Sequence, residues 1–464
     1  MHVTTIDRFV PAPGRVVEFA TSAATLAVAE GAPASPVPPS FNQRFHLAGA
    51  PGHWLACAFD IRGPVDTEAL RTAFETFAGR HETLRSGFRS AGSAGPERFV
   101  LPAEKLELAM VRDGETYATA EELRTWLRNR LAANCRPTSW PSYLFAAILR
   151  PDGGTVVCGF DHCDADGYSL AVAVHELHEL YTGRPASSLP PTGSFVDYCA
   201  LEQEQSSSSP PDFTDPLVQS WSSFFADCDG TTPSFPLPLG MPPGERAPQG
   251  TDVRRLLDSH ATDEFERRCR AAGGSVFTGL LTALGLASHR LGADKVIRLL
   301  VPLHTRHEER WQHAMGWFTT VAPLTLDVSD ATDPAEGSSR TRAAFRKARA
   351  LAELPVAQVL PALGDSFRRT RTDVFMASYI DYRRFSGSAT HLARRAHHIS
   401  SVTVADDAQF WFSRTHEGLF LRSRYPATAA AEPIVLSFAD AVGVLLGRRS
   451  TPSRGRRSEP TAGR

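Results

Sequence analysis

No run of about 18 consecutive apolar residues occurs anywhere in the chain, so no transmembrane helix is expected. The first residues, Met1-His2-Val3-Thr4-Thr5-Ile6-Asp7-Arg8, lack the apolar core and cleavage site of a secretory signal, and a cytoplasmic protein is expected. No two of the seven cysteines (Cys57, Cys135, Cys158, Cys163, Cys199, Cys228 and Cys269) stand at Cys-x-x-Cys spacing. Their odd number, in a chain too long to need staples, fits reduced thiols better than a disulfide framework. Charge of one sign is also lacking: 49 Lys and Arg against 51 Asp and Glu give a formal net charge of -2. That balance offers no electrostatic reason to expect nucleic acid as a partner. Lysine is far outnumbered by arginine, and Ala, Gly and Pro are frequent, a bias that reads as genomic composition.

Core-forming residues are plentiful: 42% of the 464 residues are apolar. At roughly 100–200 residues per domain, the length suggests two or three domains. Residues 1–37 read as an extended lead-in rich in Pro and Ala. Residues 55–61 read as a strand, and Asp66 as the cap of the helix that follows. Thr119 with Glu122 three residues on forms a capping box before Leu123, Leu127 and Leu131. Residues 143–149 and 155–160, joined by Pro151-Asp152-Gly153-Gly154, predict a hairpin. A helix opening near Ser169 follows. Residues 183–216, with Pro190-Pro191, Ser206 to Ser209 and Pro210-Pro211, read as a linker, and 229–250 as a second Pro/Gly-rich stretch. Strands and helices alternate again up to residue 446. Mixed elements on both sides of one linker argue for two α/β lobes, 38–182 and 217–446. The arginine-rich end, 447–464, reads as disordered.

One loop concentrates chemistry: Asp161-His162-Cys163-Asp164-Ala165-Asp166-Gly167, between a buried strand and a helix. His162 stands among three carboxylates. A histidine titrates near pH 6.5, about where a general base must work. Gly167 is expected to permit a turn that other residues resist. A buried structural histidine is the commoner outcome for such a position. A metal site from His162 with Asp164 or Asp166 has no second histidine in the loop to support it, and no metal is expected. The segment His175-Glu176-Leu177-His178-Glu179 lacks the i, i+4 histidine pair of a zinc helix and reads as a solvated face.

The loop resembles the His-His-x-x-x-Asp-Gly motif of the condensation-domain superfamily, which includes chloramphenicol-acetyltransferase-like enzymes. His162 falls at the second histidine, Asp166-Gly167 match, and Asp161 stands where the first histidine is usual. Pro39-Ser40-Phe41-Asn42-Gln43 and Arg80-His81-Glu82-Thr83-Leu84-Arg85 resemble two further motifs of that superfamily. Met315-Gly316-Trp317-Phe318 through Leu324 resembles a third, with Thr320 in place of its asparagine. The likeness runs from about residue 38 to 440. Within the superfamily, the chain is most similar to the polyketide-associated (Pap) acyltransferases of mycobacteria and their actinobacterial relatives. It shares their lead-in from Pro11 to Ser40, Ser378-Tyr379-Ile380-Asp381-Tyr382-Arg383, and the stretch from Gly418 to Pro426.

The resemblance implies two lobes with mixed sheets, arranged in a V around a central tunnel, with His162 as general base. It implies that Asp166 holds the loop through an ion pair with Arg85 or Arg306, and that the Gly167 N–H faces the oxyanion. Ser378, Trp317, Phe318 and Asp161 are expected at the substrate. Cys163 as a covalent nucleophile is the chemical rival. The implied activity is that of a freestanding acyltransferase. It would move an acyl group from a coenzyme A or carrier-protein phosphopantetheine thioester to a hydroxyl of a glycolipid or polyketide-type acceptor. No cofactor beyond that co-substrate, and a monomer, are expected. Amide formation in nonribosomal peptide synthesis, or a silent member that recruits a partner enzyme or carrier protein, are the alternatives.

Overall fold

The computed structural model describes residues 1–49, 52–90, 95–208 and 211–447. Two seven-stranded mixed sheets form two lobes. In the first, the strands run in the order His2–Thr5, His397–Ser400, Trp54–Arg62, Gly153–Asp161, Tyr143–Arg150, Gly14–Thr21, Leu108–Tyr117. In the second the order is Thr319–Asp327, Val296–His304, Met376–Asp381, Gln409–Thr415, Gly418–Pro426, Ala247–Asp258, Val404–Ala405.

Alternation along the strands decides which layer each side chain joins. On Trp54–Arg62, Cys57 and Phe59 pack with Phe74, Phe77, Leu170 and Leu177 of the helices Thr67–Arg80 and Gly167–Tyr181. Ala56 and Ala58 face the other way, onto Leu123, Leu127 and Leu131 of the helix Ala120–Asn134. Asp66 and Thr119 cap their helices as read from sequence, and Glu122 completes the box. Such caps contribute about 1 kcal/mol each. The strand Gly153–Asp161 is buried along its whole length, so it delivers the loop from a rigid base. In the second lobe Phe410, Phe412, Leu419 and Leu421 pack under the helices Val276–Arg290 and Ala431–Leu445. The opposite face of that sheet turns toward the first lobe. Among the described residues, no single helix is long and apolar enough to cross a membrane.

Three boundaries differ from the sequence reading. Residues 1–37 are not a lead-in: they supply the strands His2–Thr5 and Gly14–Thr21 and the helix Ala23–Glu30. Residues 183–216 are not only a linker, because the helix Phe195–Ser208 buries Phe195, Val196 and Cys199. The span 217–446 is not one lobe either. Its strand His397–Ser400 crosses to the first sheet, parallel to His2–Thr5 and antiparallel to Trp54–Arg62. The tail beyond Gly447 lies outside the described residues.

Candidate active site

The loop at 161–167 is held at nearly every residue. Asp164 accepts from Thr83 (2.8 Å) and Ser142 (2.6 Å), and burial pushes its carboxyl up to about 7. Gln43 donates to the Cys163 carbonyl at 3.0 Å. Its own oxygen is fixed by the buried Arg98 at 2.7 Å, and Ser40 and Gln43 cap the helix Phe41–Leu47 reciprocally. The Ser40–Gln43 motif therefore braces the loop. The neighbouring Asn42 donates to the Thr319 carbonyl of the second lobe at 2.7 Å. The Arg80-His81 pair braces it from the other end. Both side chains bond Glu176 on the helix that follows the loop, His81 at 3.0 Å and Arg80 at 3.2 Å. Burial opposes ionisation of Glu176, but His81 and Arg80 overcome it and hold the carboxyl down at about 2. The expected solvated face at 175–179 is therefore wrong for Glu176, which is 1% exposed.

Asp166 joins the lobes. Its side chain caps the helix Gly167–Tyr181 through the Ser169 N–H and receives a bidentate pair from Arg306, at 2.6 and 3.0 Å. Arg306 also donates to Ser169 and to the carbonyls of Ala314 and Gly316, and lies between the rings of Tyr168 (4.3 Å) and Phe318 (4.4 Å). Among the described residues, Arg85, the other candidate, bonds only the carbonyls of Gly79 and Leu101. Gly316 takes φ 152°, and a Cβ there would sit 2.5 Å from the Phe195 ring, so glycine lets its carbonyl reach Arg306. Gly167 is different from its expectation: it is not among the positive-φ glycines. What it supplies is space, since a Cβ would lie 3.1 Å from Ile380 Cδ1 and 3.4 Å from His398 Cε1 on the cavity wall.

His162 opens on a cavity of about 1300 Å³ between the lobes. Its backbone N–H donates to the His53 carbonyl at 3.1 Å, and the Trp317 ring lies over the imidazole with centroids 3.9 Å apart. Desolvation by burial, then the proximity of His46, brings its pKa down to about 4, so the imidazole is neutral at pH 7. Nδ1 is buried and makes no hydrogen bond, which leaves Nε2 as the nitrogen for chemistry.

Gly167, Trp317 and Ser378 also line the cavity. Asp161 and Phe318 do not. Asp161 is 0% exposed and accepts from His46 Nε2 (3.0 Å) and from the Cys163 N–H (2.8 Å). Phe318 is fully buried against Phe195, Tyr198 and Trp311. Placing either at the substrate was therefore incorrect; both lie behind the wall. Cys163 is 1% exposed and absent from the wall, and burial pushes its thiol well up, which is the wrong direction for a nucleophile. His46, Asp161 and Cys163 offer three atoms within 4.8 Å of one another, types a transition metal accepts. The hydrogen bonds among them already account for their closeness.

His46 escaped the sequence reading, although it lies three residues after the recognised Gln43. It supplies an imidazole beside the position where Asp161 replaces a histidine. Trp411, His398, Ser400 and Arg422 were also missed; for Trp411 and Arg422 the signal is the alternation of Phe410/Phe412 and Leu419/Leu421, which assigns their residues to the other face, whereas His398 and Ser400 lie on a strand of four residues that carries no such signal.

Two mixed sheets with a histidine loop opening between them define a class, the two-lobed acyltransferases. The chain belongs to the condensation-domain family: the profile described as Condensation domain matches residues 46–379. Among curated proteins, acyltransferase PapA3 of Mycobacterium tuberculosis is 28% identical over 398 residues, 82% of this chain and 81% of that protein. The 2'-acyl-2-O-sulfo-trehalose (hydroxy)phthioceranyltransferase PapA1 of Mycobacterium bovis is 29% identical over 402 residues, 82% of this chain and 75% of that protein. Trehalose-2-sulfate acyltransferase PapA2 of the same organism is 28% identical over 343 residues, covering 70% of this chain and 71% of its own length. The fold matches a solved PapA2 acyl transferase with a TM-score of 0.87, at 23% identity, over 96% of this chain and 99% of that one. It also matches the X-domain from teicoplanin biosynthesis, with a TM-score of 0.69 at 20% identity, over 88% and 94%.

Proposed function

We propose that the protein transfers an acyl group from a coenzyme A or carrier-protein thioester to a hydroxyl of a glycolipid acceptor. The observation that carries this reading is His162, neutral and opening on a cavity walled by both lobes. The acceptor hydroxyl gives its proton to His162 Nε2 as its oxygen attacks the thioester carbon. The C–S bond then breaks, and the proton passes to the leaving thiolate. Gly167 stands at the first position of a helix, where the N–H groups and the dipole favour the developing oxyanion. Ser378, 9% exposed on the wall, supplies a hydroxyl toward the same intermediate. Asp166, which also borders the cavity, acts through its pairing with Arg306. An apolar arm of the cavity, lined by Leu300, Val321, Leu360, Phe367 and Met376, suits the acyl chain.

Purified protein given palmitoyl-CoA and trehalose is expected to release free thiol and form an ester detectable by mass. An amine offered in parallel is expected to react far more slowly. Thiol release that no alcohol accelerates would remove the proposal, and preferential amide formation would move the protein to peptide-type condensation.

The pH profile tests the base directly. A base of lowered pKa is deprotonated at neutral pH and is lost only as pH falls through about 4. The rate kcat/KM is therefore expected to be flat between about pH 6 and 8 and to fall on the acid side near that value. An acid limb at about 6.5, the ordinary histidine value, would contradict burial of His162 as the determinant.

A further inference from the structure

His46 and Asp161 take no part in the chemistry above, yet they meet beside the base. Asp161 ends the buried strand Gly153–Asp161 and is 0% exposed. Its two oxygens lie 3.0 and 3.2 Å from His46 Nε2, and one of them also accepts from the Cys163 N–H at 2.8 Å. The Cys163 thiol faces the same carboxylate. Asp161 therefore bonds across His162, to the residue on its far side, and not to the imidazole.

His46 comes from the helix Phe41–Leu47, which also carries Gln43. The two are three residues apart and so share one helix face. Gln43 donates to the Cys163 carbonyl at 3.0 Å, and His46 to the Asp161 carboxylate. One face of one helix thus grips the residue before His162 and the residue after it. A buried carboxylate stripped of its partner is costly, so the His46–Asp161 contact is held firmly. His46 also borders the cavity, and its ring stands edge-on to Trp317, with centroids 6.0 Å apart at 82°. Trp317 is the ring that covers His162. The His46 and His162 rings, with centroids 6.3 Å apart, are too distant for a hydrogen bond between them.

We propose that His46 and Asp161 form a positioning dyad for the base. The dyad fixes the backbone on either side of His162 and the Trp317 ring over it, so that His162 Nε2 is presented to the cavity. A carboxylate serves at position 161, where the motif usually has a histidine, because an imidazole already faces it from residue 46. The proposal rests on the acyl-transfer reading of the site and adds two residues that act through His162.

Acyl transfer by full-length variants, from palmitoyl-CoA to trehalose, tests it alongside thermal melts. His46→Phe keeps a ring and removes the donor. It is expected to lower kcat on the order of tenfold, within the ~10²-fold that a misplacement of about 1 Å can cost. KM for donor and acceptor should stay within about threefold, because no substrate contact is removed. His46→Gln, which can set an Nε2 donor near the place of the imidazole's, should recover most of kcat. Asp161→Ala should slow the reaction as His46→Phe does. The double variant should be no slower than the slower single, since residues acting as a unit are not additive. Additive effects overturn the dyad, as does His46→Gln performing no better than His46→Phe. A lower melting temperature with kcat intact, or loss of fold in every variant including His46→Gln, would make the pair structural and overturn it too. A raised KM with kcat kept would make His46 a substrate contact, which also overturns it.

A second measurement needs no turnover. In protein labelled at histidine Cε1, the His162 resonance is the one missing from His162→Ala. It is expected as one sharp line in wild type, and shifted and broadened in His46→Phe and in the milder Asp161→Asn. A His162 line unmoved in both overturns the dyad. Should the protein acylate no hydroxyl, the acyl-transfer reading fails while this resonance still decides the dyad. Normal transfer that is indifferent to His46 and Asp161 fails the dyad alone.

Discussion

Replacing His162 with alanine is expected to lower kcat by about 10²–10⁴-fold, the usual contribution of a positioned general base. That corresponds to roughly 3–5 kcal/mol at about 1.4 kcal/mol per tenfold. The fold should be unaffected, because the ring is a wall of the cavity and not part of either core: its ring neighbours are Trp317 and His46, and the hydrogen bond to the His53 carbonyl comes from the backbone N–H, which alanine keeps. Donor binding should also persist, since the apolar arm lies on the second lobe. The measurement is single-turnover acyl transfer alongside a thermal melt. Turnover within about threefold of wild type, where a base should supply at least ~100-fold, would mean that proton transfer is carried by another group. Loss of fold would mean that the ring is structural.

Arg306→Ala is expected to have the second largest effect, and to act at a distance from substrate. Arg306 is 3% exposed and does not line the cavity. Removing it leaves Asp166 buried without its bidentate partner, which typically costs 3–5 kcal/mol, about 3–5 °C in Tm for a chain of this length at roughly 2.1 cal/mol/K per residue. Activity should fall mainly in kcat, because the loop loses its tie to the second lobe. A pH readout separates this role from plain destabilisation. Asp166 already raises the His162 pKa slightly. Without Arg306 its charge is uncompensated, so the acid limb of the rate profile should move upward from about 4. A stable variant with an unmoved limb and full kcat would show that the ion pair does not position the base. Arg306→Lys keeps the charge but loses the fork, and should fall between the two.

The local signals in the sequence are good guides here because they are satisfied locally. Capping at Asp66 and Thr119, the hairpin at 143–160 and the strand-loop-helix around His162 need only neighbouring residues. The resemblance placed the loop between two lobes, and the 46–379 match agrees with it. What escaped notice depends on partners far along the chain. Glu176 looks solvated on its helix, since nothing nearby announces His81 and Arg80, about a hundred residues earlier. Gly14–Thr21 is a central strand hidden behind Pro11 and Pro13, and His397–Ser400 is four residues long, too short for a period to register. Asp161 was misplaced for a related reason: a carboxylate beside a catalytic-type histidine suggests orientation of that ring, whereas its partner is His46, from another helix. Arg422 sits in an alternating strand whose pattern is plain, but only the neighbouring strands reveal that its face is a cavity.

The crossing of His397–Ser400 also changes what counts as a unit of this protein. The strand Trp54–Arg62 has one neighbour from its own half of the chain, Gly153–Asp161, and one from near the C-terminus. A fragment ending at the 183–216 segment would expose that edge and lose the seat for His2–Thr5 as well, leaving unpaired backbone of the kind that invites aggregation. The two halves therefore cannot be inherited, expressed or exchanged as independent modules. The cavity wall is a composite, with His398 and Ser400 borne on the first sheet and Trp411 and Arg422 on the second. Any recombination that swaps one lobe would split that wall along its middle.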